Sequence, residues 1–132
     1  MKNKIEFFGN DLLISSFDSI YEKFGNHFYT AKLDYNFDTL YNDIKNKVDN
    51  NTLEHRLVFM FDKKANITED DYQKLIDLCN GHEIYICNFT NNETSLSTDT
   101  VHVVNFADVL FNPAKNIDEN PEENIEENVG EM

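Results

Sequence analysis

Leu57-Val58-Phe59-Met60-Phe61 is the longest unbroken apolar run in the chain, and it is bounded by Arg56 and Asp62. Five residues are too few for a stable helix, and branched and aromatic side chains favour extended backbone. A strand that is apolar on both alternating faces needs cover on both faces. That is the condition of a central strand in a parallel sheet flanked by helices, and it excludes a sheet with one wet face.

The rest of the chain supplies the covering layers. Ile5-Glu6-Phe7-Phe8 reads as a first strand. Leu13, Phe17, Ile20 and Phe24 then recur at helical spacing, so residues 11–24 form a helix capped by Asn10 or Asp11 and ended by Gly25. Residues 27–33 read as a second strand, broken by Asp34-Tyr35-Asn36. Phe37, Leu40, Tyr41, Ile44 and Val48 mark a second helix, stopped by Asp49-Asn50-Asn51. Thr68-Glu69-Asp70-Asp71 resembles a capping box opening a third helix, with Tyr72, Leu75, Ile76 and Cys79 as its stripe and Asn80-Gly81 as its end. Residues 84–89 and 101–106 read as the last two strands around a polar loop at 90–100, and 107–111 as a short helical turn. Strands alternating with helices predict a flavodoxin-like three-layer α/β sandwich over residues 1–112. Its sheet is mostly parallel and five-stranded, in the order 2-1-3-4-5. From Pro113 the chain turns acidic and poor in apolar residues, so 113–132 reads as a disordered tail, with Ile117, Ile125 and Val129 spaced for a helix on a partner.

With 25 acidic against 11 basic residues, the net charge is −14. Such a surface repels nucleic acid and anionic lipid; it suits a basic protein partner, or plain solubility. Membrane insertion is not expected, because no stretch approaches the ~20 apolar residues a span needs. The N-terminus lacks the apolar core of a signal peptide, since Gly9-Asn10-Asp11 interrupts it. Cys79 and Cys87 are too few for a disulfide framework, and free buried thiols fit a cytoplasmic setting. Asn-x-Thr sequons at Asn50, Asn66, Asn88 and Asn92 are what chance provides in so Asn-rich a chain. Four glycines, none in a Gly-rich phosphate loop, argue against a nucleotide cofactor, and no cofactor is expected.

In such a sheet, ligands sit beyond the outgoing strand ends, beside the switch point between strands 1 and 3. The candidate crevice is therefore lined by Asn10, Asp11, Asp34, Asp62, Lys63 and Asn88. Asp11 and Asp62 are two hard carboxylates suited to Mg²⁺, but the lysine of a phospho-acceptor receiver domain after strand 5 is missing, and capping and turn roles account for both more simply. His27, His55, His82 and His102 are scattered without zinc spacing and read as structural. Lys63-Lys64 is either an anion contact or a solvated turn.

Phe7-Phe8-Gly9-Asn10-Asp11, the segment Leu57 to Asn66 where the family has a strand running into Gly-x-Asn-Gly, Ile67-Thr68-Glu69-Asp70 with the following helix and Ile84-Tyr85-Ile86-Cys87, and Val103-Val104-Asn105-Phe106 together resemble the SGNH (GDSL-like) hydrolase domain attached to bacterial cell-surface O-acyltransferases. The resemblance spans residues 5–110 and implies an acyl-ester active site. Its chemical parts are absent. Asp11 stands where the family has its serine, Asn10 replaces the family's Asp, the Gly and Asn of the oxyanion hole are replaced around Lys63 and Lys64, and no His follows His102 to complete Asp-x-x-His. The resemblance thus implies a pseudo-enzyme with no catalytic residue, serving as an interaction or ligand-binding module. Two alternatives stay open: an esterase in which Asp11 or Ser15 acts unusually, and an acidic mimic of nucleic acid of the kind phages encode.

Overall fold

The computed structural model describes residues 4–88 and 100–105. Five strands, β1 (Ile5–Gly9), β2 (Phe28–Ala31), β3 (Arg56–Met60), β4 (Glu83–Asn88) and β5 (Val101–Asn105), alternate with three helices, α1 (Asp11–Phe24), α2 (Phe37–Asp49) and α3 (Glu69–Leu78), up to β4. The sheet runs β2-β1-β3-β4-β5 and every neighbouring pair is parallel. The expected order is therefore observed, with parallel pairing complete rather than predominant.

Alternation along β3 explains the layers. Leu57 and Phe59 join Phe8, Leu40, Ile44, Leu75 and Ile84 in a core beneath α2 and α3. Val58 and Met60 point the other way, to Phe7, Leu13, Ile20 and Phe24 beneath α1. The apolar run needs cover on both sides because it feeds both cores.

Local signals set the ends of the elements. Asn10 caps α1 by accepting from Leu12 N, Asn36 caps α2 through Thr39 N, and Thr68 with Asp71 forms a reciprocal capping box on α3. Gly25 and Gly81, at φ 79° and 96°, turn the chain out of α1 and α3 in backbone that side chains with a Cβ rarely adopt. β2 is shorter than its sequence suggests, because only Phe28–Ala31 pairs in register with β1. The sequence reading missed a 3-10 turn at Lys63–Ala65. Residues 90–99 of the expected loop at 90–100, the turn at 107–111 and the acidic tail at 113–132 lie outside the described residues.

At the entry end of the strands, Glu6 and Arg56 are buried, each beside a half-buried partner of opposite charge. Glu6 receives Glu54 N at 3.2 Å and Lys47 Nζ at 2.9 Å. Arg56 Nε lies 3.5 Å from Glu83 Oε1, while its Nη1 is buried without a hydrogen bond.

Candidate functional site

The turn from β1 into α1 is close-packed. A Cβ on Gly9 would lie 2.3 Å from Leu13 Cβ and 2.6 Å from the Met60 carbonyl, so only glycine lets β1, β3 and α1 approach this closely. The next residue, Asn10, is 1 % exposed and ties the outgoing ends of β1 and β3 together. Its Oδ1 accepts from Leu12 N at 3.3 Å and Asp62 N at 3.2 Å, and its Nδ2 donates to Asp62 Oδ1 at 2.7 Å. Asp62 Oδ1 also accepts from Lys64 N at 2.9 Å, which winds the chain into the 3-10 turn.

Asp11 opens α1, where its charge complements the helix dipole. Its Oδ2 accepts from the exposed Lys64 Nζ at 3.3 Å; its Oδ1 is buried and accepts nothing.

Three of the six crevice residues named from the sequence therefore meet: Asn10, Asp11 and Asp62. The lysine that joins them is Lys64, whereas Lys63 is an exposed first residue of the 3-10 turn. The 3-10 turn decides between the two lysines. It was legible only as an Asx-turn signal, in which an Asp captures the N–H two residues on. Asp34 is exposed, in a left-handed turn at φ 56°, and enters none of these bonds. Asn88 closes β4 in register with Asn105.

Three of the histidines occupy the other end of the sheet, and His102 lies mid-sheet on β5, in register with Tyr85, Val58 and Phe7. His27 Nδ1 accepts from Ile5 N at 3.0 Å, His82 Nδ1 lies 2.7 Å from Glu54 O, and the rings of His55 and His82 are 6.1 Å apart. His102 stacks on Tyr85 at 4.8 Å, and its Nε2 lies 3.4 Å from Glu83 Oε2 without forming a hydrogen bond. The strand rise of about 3.3 Å per residue separates Ile5 from Gly9, and hence His27 from the Asn10 turn, by roughly 13 Å. Among the described residues, no three His, Cys, Asp or Glu side chains converge as a metal-binding group.

A second polar cluster, not anticipated from the sequence, pins the loop between β2 and α2. Tyr35 is buried and donates its hydroxyl to Asp43 Oδ2, which also takes Lys32 Nζ at 2.7 Å. The same ammonium sits 5.0 Å above the Tyr35 ring. Burial, then the Asp43 contact, pushes the Tyr35 phenol far above its ordinary range. Burial works against the Asp43 carboxylate, but its bonds from Lys32 and Tyr35 outweigh that and hold its pKa below the usual value.

No helix among the described residues is long and apolar enough to cross a membrane. This architecture is that of a three-layer α/β domain with an SGNH-like fold. Among solved structures, the chain is similar to the C-terminal catalytic domain of Streptococcus pneumoniae peptidoglycan O-acetyltransferase A, solved with a methylsulfonyl adduct, at a TM-score of 0.58 and 12% identity. The match covers 66% of this chain and 50% of that domain, so the likeness is one of fold over about half of the other protein's length. No family model and no curated protein matches the sequence.

Proposed function

We propose that this chain is a non-catalytic binding module on an SGNH-like scaffold, with the Asn10, Asp11 and Asp62 cluster at its centre and Asp34, Lys63 and Asn88 at the rim. One observation carries the reading. At the turn where this kind of fold presents its reactive group, Asn10 and Asp62 hydrogen-bond to each other and to backbone, while His27, His55 and His82 sit at the entry ends of the strands and His102 lies mid-sheet on β5, three strands away from β1. An acyl-transfer centre needs a nucleophile, a base within hydrogen-bond reach of it and donors aimed at the developing oxyanion. Asp11 lacks a neighbouring imidazole, and the closest cation, Lys64, pairs with it as a surface contact.

The esterase alternative draws on one feature, the buried and unpartnered Oδ1 of Asp11. Ser15 does not strengthen it, since its hydroxyl donates to the Leu12 carbonyl within α1. Hydrolysis of p-nitrophenyl acetate tests the choice. The expected result is the same rate for the native protein, Asp11→Ala and Ser15→Ala. An esterase rate abolished by either substitution overturns the reading.

A further inference from the structure

The outer flank of α1 carries an aromatic surface that the core does not use. Leu12, Leu13, Ile20 and Phe24 are the buried side of the helix. Ile14, Phe17 and Tyr21, spaced i, i+3 and i+7, form a second stripe beside it. Ile14 is 40% and Tyr21 49% exposed, so the stripe reaches solvent. Its rings continue inward without a break. Phe17 lies 5.7 Å from Tyr21 and 5.1 Å from Tyr29 of the edge strand β2, and Tyr29 stacks at 4.8 Å on the buried Phe7. The exposed rings are thus held in place by core packing, so little ordering cost remains for a partner to meet.

Charge selects the partner. Asp18 and Glu22, both exposed, run along the next row of α1 beside this stripe. Like charges at i and i+4 weaken a helix, and among the described residues neither carboxylate enters an ion pair that would offset the cost. A second copy of the chain would bring another −14, and the Glu-rich residues 113–132 would be repelled in the same way. We infer that the Ile14–Phe17–Tyr21 face docks a basic amphipathic segment of another protein, with apolar side chains on the rings and Lys or Arg on Asp18 and Glu22. The inference deepens the binding-module reading, but it uses a face and groups that the ester assay does not probe. Either can therefore fail alone.

Titration of the ¹⁵N-labelled full chain in 0.15 M NaCl with a synthetic helical peptide of leucine and lysine tests it, with a leucine–glutamate peptide as the counterpart. The expected result is amide shifts centred on residues 14–22 and 29 with the lysine peptide and none with the glutamate peptide. Asp18→Lys/Glu22→Lys should weaken binding about tenfold, and Asp38→Lys/Asp70→Lys, on α2 and α3, should not. Equal losses in both double variants, or shifts centred on α2 and α3, would overturn the inference. So would a dimer of the chain alone that Tyr21→Ser dissolves, since a second copy would then own the face.

Discussion

Asn10 shows why one atom can decide the chemistry of this turn. An aspartate there, the residue the SGNH resemblance implies, would offer two acceptors. The structure needs one acceptor, for Leu12 N and Asp62 N, and one donor, for Asp62 Oδ1. Asn10→Asp would therefore set a buried carboxylate against Asp62. Equilibrium urea unfolding is expected to show a loss of about 2–4 kcal/mol. Asp62→Asn placed on top of it restores a donor facing an acceptor, so the double variant should recover part of that loss. Strictly additive losses would mean that the Asn10–Asp62 bond contributes nothing.

Among the elements, the connection between β2 and α2 is held by charge as well as by the apolar packing of Tyr35. Asp43 on α2 holds both Tyr35 and Lys32, and its folded pKa is depressed. A depressed carboxylate stabilises the fold fully above its unfolded pKa of about 3.9. That contribution is lost as pH falls through the lower folded value. Asp43→Asn should therefore unfold more readily near neutral pH and show a shallower acid limb below about pH 4, read as urea midpoints from pH 7 down to pH 2. A parallel acid limb in the variant would show that this carboxylate is not coupled to folding. The sequence could not show this cluster, because Tyr35 read as part of a strand-breaking Asp34-Tyr35-Asn36 segment, yet it is among the most buried residues. Periodicity finds faces of regular elements; it is blind to a loop residue that tertiary packing pulls inward. The elements themselves were legible where two signals agreed, as at α1, where the apolar stripe, the Asn10 cap and Gly25 give the same limits. They blurred at β2, whose residues 27–33 look extended throughout although register ends at Ala31. Lys63 and Lys64 look alike in sequence; the turn that separates them rests on Asp62, which captures Lys64 N and is itself held by Asn10 at the end of the neighbouring strand.

At the scale of the whole molecule, short-range pairing and long-range repulsion pull stability in opposite directions. The described ion pairs are few, and the best-sequestered, Lys47 with Glu6 and Arg56 with Glu83, each have one buried and one half-buried partner and are screened less than exposed pairs. The excess charge of −14 is spread over one small chain and destabilises the compact state through self-repulsion. At 0.5 M salt the screening length is roughly 4 Å, shorter than most separations between like charges on such a surface but comparable with the length of a contact pair. Repulsion is then removed while much of the pairing survives. The urea midpoint should therefore rise as NaCl goes from 0.02 to 0.5 M, and most of the rise should come below about 0.15 M, where the screening length falls to about 8 Å. Asp18→Lys/Glu22→Lys lowers the net negative charge by four, as each substitution exchanges −1 for +1, and should reduce the salt dependence in proportion. A midpoint that falls with salt would mean that attractive pairs such as Lys32–Asp43 outweigh the repulsion, and would overturn this expectation.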